Sequence, residues 1–221
     1  MFEGSSSQPD DGARMRPVDM TLLSQLVSTY HGPRGVRQQA NIRMVGLYLP
    51  PALTRYAITT LLRQAHFLAQ VCEESWGMSD LKEEEDGSEY EGRKSLGNTQ
   101  TGDGARFKGR GLIQLTGRAN YIKVGKELNL NLVDRPDLAE TADVAVNTAC
   151  QFWTDRHLNR LADLDDLKSI THKVNGKHLR GLKERARYLA LAKKLLGSAG
   201  QATDVVLPVG GDVNGNPIYA A

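Results

Sequence analysis

Disulfide chemistry has almost no material in this chain of 221 residues, which contains two cysteines, Cys72 and Cys150. Two cannot build a disulfide framework, and both lie in apolar, helical-looking runs, so buried free thiols are expected. Aromatic residues make up only 6%, and no apolar run approaches the roughly 18 residues that a membrane span needs. An excess of one charge is also missing. With 28 basic against 26 acidic residues the net charge is +2, too even for a whole-molecule nucleic-acid binder. No nucleic-acid partner is expected. His-Glu-x-x-His, Cys-x-x-Cys and Gly-x-Ser-x-Gly are all absent, which leaves no motif for a metal centre or a nucleophile elbow. The first residues, Met1 to Asp11, are acidic and polar where an export signal is basic and then apolar. Export by the usual route is therefore not expected.

What the chain does contain is helical periodicity. Residues 1–18, rich in Ser, Asp, Gly and Pro, read as a flexible leader, residues 19–197 as the folded domain, and residues 198–221 as a flexible tail. Leu22, Leu23, Leu26 and Val27 recur at helical steps, and Ile42, Val45, Leu49 and Leu53 resume the pattern across a break expected at Pro50-Pro51. Thr59-Thr60 offers an N-cap for an amphipathic helix whose buried stripe is Leu61, Leu62, Ala65, Leu68, Ala69, Cys72 and Trp76. Further helices follow after Arg118, the last ending at Gly197. One short strand is expected over Gly109–Thr116, where alternation places Gln114 and Thr116 on one face. The fold class read from this pattern is mainly α, with a very short strand element.

Between Met78 and Gly109 the apolar period disappears. A long irregular segment inside a compact domain tends to be functional or disordered, and this one runs from an acidic cluster, Glu83 to Glu91, into a basic one, Arg93 to Arg110. Its glycine-rich end, Gly102 to Gly111, lacks the Gly-Lys-Ser/Thr ending and the preceding strand of a phosphate loop. The carboxylates Glu73 and Glu74 precede this segment at the end of the amphipathic helix. Glu74 shares a face with Phe67, Gln70 and Val71, and apolar surroundings raise a carboxyl pKa, as a general acid requires. A second carboxylate in the polar loop then serves as base, the pairing that glycoside hydrolysis uses. Acidic runs are, however, more often solvated faces. Trp76 and Trp153 lie in helical stripes and read as core. The last helix carries Arg180, Lys183, Arg185, Arg187, Lys193 and Lys194 against Glu184, which reads as a basic solvent face, with attraction to an anionic wall or membrane as the sharper alternative.

Ordered motifs narrow the choice. Ala65 to Gln70, Glu73-Glu74-Ser75, Tyr90 to Arg93, Leu96 to Thr99, Gly102 to Gly104 and, above all, Phe107 to Tyr121 resemble the family 19 glycoside hydrolases, plant-type chitinases and a compact branch of phage and prophage endolysins. The likeness runs from about Ala40 to Tyr188, is nearest to the compact branch and includes Val174-Asn175-Gly176. It implies a two-lobed lysozyme-like helical domain with the very short strand element near the groove, and an inverting mechanism on β-1,4-linked N-acetylated aminosugars, with Glu74 as general acid and Glu83, nine residues on, as general base. Glu84 and Glu85 are the alternatives should the loop register differ. By the same resemblance Thr116 helps to hold the attacking water, and Gln114, Asn120, Tyr121 and Asn175 contact sugar. Arg185 matches an arginine supporting the acidic cluster. Where the family has His before the acid this chain has Glu73, which either raises the pKa of Glu74 or points to solvent. An inverting pair needs a separation of about 6.5–9.5 Å, and no metal or cofactor.

These readings imply an endolysin that waits in the host cytoplasm and hydrolyses peptidoglycan once the membrane is permeabilised. The alternatives are a chitinase acting on chitin and a catalytically inactive wall-binding module. A monomer is expected.

Overall fold

The structure, a computed structural model, describes residues 15–198 and the backbone of residues 210–211 and 217–218. Nine α-helices occur among the described residues: α1 (Met20–Leu26), α2 (Gly32–Arg55), α3 (Leu61–Glu74), α4 (Asp103–Arg106), α5 (Arg118–Leu128), α6 (Ala142–Asp155), α7 (Leu158–Asp163), α8 (Leu167–Asn175) and α9 (Leu182–Gly197). Short 3-10 turns at Ser88–Tyr90, Lys94–Leu96 and Pro136–Glu140 complete the body. The fold is mainly α, as the periodicity implies. Gly210–Gly211 pairs antiparallel with Pro217–Ile218; the rest of the expected tail beyond Ser198 and residues 1–14 of the expected leader lie outside the described residues. Arg16 and Val18, assigned to the leader, belong to the body. Val18 is buried, and Arg16 N–H donates to Leu196 O at 3.0 Å.

Helix α3 is the centre of the larger core. Thr60 caps it by accepting from Arg63 N–H at 3.3 Å. Every residue from Ala65 to Cys72 is buried, so the expected stripe is instead a helix enclosed on all sides. Packing by α9, α7 and α8 around it explains why His66 and Gln70, polar by sequence, are interior. Phe67 meets Trp153 of α6 edge to face, with centroids 5.4 Å apart, an arrangement the ring quadrupoles favour. Cys72 and Cys150 are free and buried here, as expected. A second, smaller core gathers Phe107, Leu115, Tyr121, Val124, Leu132, Ala139 and Val144. Two cores give the two lobes.

Two elements differ from the sequence expectation. Helix α2 continues through Pro50 and Pro51 to Arg55. Both prolines fall in its last turns, where burial of Leu49, Ala52 and Leu53 outweighs the missing amide donors. The segment Gly109–Thr116 is a tight turn and not a strand. Gly111 and Gln114 have φ of +78° and +52°, and Leu112, Ile113 and Leu115 are all buried, so its residues do not sort onto two faces. Single bridges, Lys82 with Arg110 and Arg110 with Leu115, are the only extended pairing there.

Candidate active site

Glu74 ends α3 and is held by α9. Arg185 of α9 is buried, and its Nη2 donates to Glu74 Oε1. The same guanidinium gives Nη1 to Gln70 Oε1 at 2.6 Å and Nε to Arg180 O at 3.3 Å. Gln70 in turn donates to Thr171 Oγ1 of α8 at 3.4 Å. Three helices thus converge on one carboxylate. Its surroundings are ionic where the helical wheel reads Phe67 and Val71 as apolar flanks, because those two turn into the core. Arg185, which the resemblance sets beside the acidic cluster, is buried at 1% exposure and meets Glu74 and not solvent.

Glu73 takes neither of its two expected courses in simple form. Its carboxyl packs against Gly181, the residue that precedes α9, so closely that a Cβ there would fall 2.1 Å from Glu73 Oε1. Gly181 also has φ of +72°, and glycine serves both needs. Burial raises the Glu73 pKa, the Arg185 charge opposes the shift, and the Glu74 charge adds to it.

Glu83 is gripped by the loop. Its Oε1 accepts from Tyr90 Oη at 2.7 Å and its Oε2 from Gly109 N–H at 2.8 Å. Its own N–H donates to Gly109 O at 3.0 Å. Glycine at 109 permits this approach without displacing either neighbour: a Cβ would lie 2.4 Å from Gln114 Oε1 and 3.1 Å from Glu83 Oε2, so those side-chain ends would have to shift. Tyr90 has its phenol pKa raised, by burial first and by the Glu83 hydrogen bond next. The two alternative bases are unlike Glu83. Glu85 is exposed, and Glu84, 77% exposed, reaches only Arg37 at 3.5 Å. The rest of the loop is braced by polar contacts, with Glu91 accepting from Gly102 and Gly104 N–H and Asp103 paired to Arg118.

Glu74, Glu83 and Gln114 line one open cleft of about 370 Å³, together with Arg34, Trp76, Asp80, Lys82, Glu84 and Glu85. A second hollow of about 570 Å³ shares Asp80, Lys82, Glu83 and Glu84 with it, so the 80–85 segment is the wall between the two. The other sequence-derived residues are not on that lining. Thr116 Oγ1 donates to Gln114 O at 2.9 Å, Asn120 Nδ2 to Thr116 O at 2.7 Å, and Asn175 Oδ1 accepts from Arg180 N–H at 3.2 Å. Tyr121 is a correction. Fully buried, it packs on Phe107, accepts from Arg110 and donates to Lys108 O, so no sugar reaches it. Trp76 is the opposite correction, for it is 66% exposed at the cleft and not core. Sequence reasoning also missed Gln70, Tyr90 and Gly109 as supports. Tyr90 and Gly109 stand inside the quoted motifs, but only their spatial meeting at Glu83 gives them a task.

Comparison with known proteins shows what the chain is similar to. Residues 64–166 match the family model described as "Chitinase class I". A "Glycosyl hydrolase family 19 domain-containing protein" of Haemophilus influenzae is 37% identical over 103 residues, 46% of this chain and 49% of that protein. An "Acidic 27 kDa endochitinase" of Solanum lycopersicum is 45% identical over 58 residues, 26% of this chain and 24% of that one. The chain spans about half the length, or less, of these curated relatives. Among solved structures, chitinase C from Streptomyces griseus superposes with a TM-score of 0.59 at 20% identity, covering 86% of this chain and 79% of that one. A class IV chitinase from Zea mays does so at 0.55 and 18%, covering 80% and 89%. The fold is thus that of these chitinases, and residues 64–166 are similar in sequence to the glycoside hydrolase family 19 model and to the Haemophilus influenzae protein. That stretch holds Glu74, Glu83, Gln114, Thr116, Asn120 and Tyr121; Asn175 and Arg185 lie outside it.

Proposed function

We propose that this protein is an inverting glycoside hydrolase, with Glu74 as general acid and Glu83 as general base, and that its substrate is bacterial peptidoglycan. The observation that carries the reading is the pair of carboxylates lining one open cleft, each fixed by a separate set of partners. Glu74 gives its proton to the glycosidic oxygen as the C1–O bond breaks. A water attacks C1 from the opposite face and passes its proton to Glu83, which leaves the anomeric hydroxyl inverted. Exchange with solvent then restores both groups.

The preference for peptidoglycan rests on charge and on the resemblance to the compact endolysin branch. Lys177, Arg180 and Lys183 are exposed close in sequence to Gly181, the residue against which Glu73 packs, and outnumber the one exposed carboxylate among them, Glu184. Peptidoglycan strands carry lactyl and peptide carboxylates, whereas chitin is neutral. The same basic residues support, as part of this reading, attraction to an anionic wall or membrane. In this reading the enzyme works from the host cytoplasm after the membrane is permeabilised. Chitin is the second reading, favoured by the relatives named chitinases.

The test compares wild type, Glu74→Gln and Glu83→Gln on purified peptidoglycan and on chitin oligomers, with the anomeric form of the products followed by NMR. Peptidoglycan cleavage with inversion, reduced roughly 10²–10⁴-fold in each variant, is the expected result. Cleavage of chitin alone moves the protein to the second reading. Inactivity on both polymers, with binding retained, makes it a wall-binding module.

A further inference from the structure

The two tryptophans have opposite fates. Trp153 is fully buried, while Trp76, two residues beyond Glu74, leaves an indole 66% exposed on the lining of the cleft. A large apolar ring gains most from burial, so its exposure beside the acid calls for a reason. The backbone sharpens the point. Trp76 has φ of +50°, in the left-handed region that disfavours bulky residues. Neighbouring groups hold it there. Trp76 N–H donates to Glu73 O at 3.3 Å, and Trp76 O accepts from Ser79 N–H at 3.4 Å and from Ser79 Oγ at 3.0 Å. Such over-determined strain clusters at ligand-handling positions. The flank of the ring is prepared too. Arg34 stands 5.9 Å from the indole centroid and 4.0 Å from the Tyr30 ring. It is fixed by Asp80 at 2.6 Å and Ser79 at 3.0 Å.

We propose that Trp76 is a sugar-stacking platform, whose indole face receives the apolar C–H face of an N-acetylated aminosugar ring and so sets the glycan in register with Glu74. The proposal rests on the glycoside hydrolase reading and names a substrate contact of that same site. An exposed indole with two side-chain torsions loses little freedom on binding. Because the ring meets C–H groups and not hydroxyls, the contact suits either an unsubstituted aminosugar or one bearing a lactyl ether at its edge.

The experiment uses the Glu83→Gln protein, to prevent turnover, with N-acetylglucosamine hexamer and a soluble peptidoglycan glycan strand as probes. Since Trp76 is the exposed indole and Trp153 the buried one, titration is expected to change the tryptophan emission through Trp76. Calorimetry supplies the Kd. Adding Trp76→Gly should abolish the emission change and weaken binding about tenfold, whereas Trp76→Phe should retain most of the affinity. In the active background Trp76→Gly should raise KM about tenfold with a smaller change in kcat. Its melting temperature should not fall, because glycine relieves the left-handed residue. Unchanged Kd and KM in Trp76→Gly overturn the platform while leaving the hydrolase reading intact. Failure of the Glu83→Gln protein to bind either glycan, in a sample whose wild type cleaves neither, overturns both.

Discussion

Glu74 and Glu83 are held by different physics. Glu74 compensates the charge of Arg185, whose side chain is 2% exposed, while Glu83 is fixed by neutral donors, a phenol and a backbone amide. Glu74→Gln keeps an acceptor for Arg185 but removes its counter-charge. That variant is therefore expected to lose activity and also to unfold at lower denaturant, with a stability loss of about 1–3 kcal/mol. Glu83→Gln should lose activity with a smaller stability change. Paired urea titrations of the two variants check the difference; equal stabilities would show that the Arg185 contact is not an effective ion pair. Gly109→Ala tests the close approach. Its methyl would meet Gln114 and Glu83, so we expect about 1–3 kcal/mol of destabilisation and a fall in kcat out of proportion to it, read from melting and initial rates.

Helix α3, which ends at Glu74, is the most enclosed helix among the described residues. Its residues from Ala65 to Cys72 are buried, and α9, which supplies Arg185, makes its most extensive contact with it. Cutting Phe67 back to Ala would remove the edge-to-face contact with Trp153 and leave a cavity in the core of the helix that ends at Glu74. A loss of about 3–5 kcal/mol in chemical denaturation is expected, with the remaining folded protein less active per molecule; a loss below 1 kcal/mol would mean that the α3 core collapses around the gap. The element scale also shows where local pattern misleads. Pro50-Pro51 reads as a break because propensity is local, whereas packing of Leu49 and Leu53 is not. The alternation of Leu112 to Thr116 reads as a strand, but the positive φ at Gly111 and Gln114 and the bond from Gly111 N–H to Leu81 O fold it into a turn.

At the scale of the whole molecule, acid should act through identifiable groups. His66 is buried in α3, with Nε2 on Asp165 at 2.7 Å and Nδ1 without a partner. Burial lowers its pKa below the ordinary 6.5, against the opposing pull of Asp165. The unfolded chain then binds a proton at mildly acidic pH that the native protein refuses, so stability falls as pH drops below about 6.5. Asp103 works lower. Its Arg118 hydrogen bond depresses the carboxyl to about 2 from 3.8, so its contribution is complete above 3.8 and lost as pH falls toward 2. Melting curves from pH 8 to about pH 2 should therefore show a first decline that His66→Gln flattens and a second that Asp103→Asn flattens. A profile unchanged by His66→Gln would remove His66 from the first.

Much of this was legible from residue order alone, because it depends on neighbours along the chain. The cap at Thr60, the helical class, the buried Cys72 and Cys150 and the motif spacing from Glu74 to Thr116 are local properties, since backbone capping and amphipathic period act over a few residues. What depended on distant segments meeting was decided by the tertiary structure. Arg185 reaches Glu74 across 111 residues and Gly109 closes on Glu83 across 26. Tyr121 turns inward to Arg110, and Trp76, two residues past the end of its helix, is turned outward by a left-handed backbone. Periodicity assigns a residue to a face, but which face is covered, and by what, is fixed only when the helices pack.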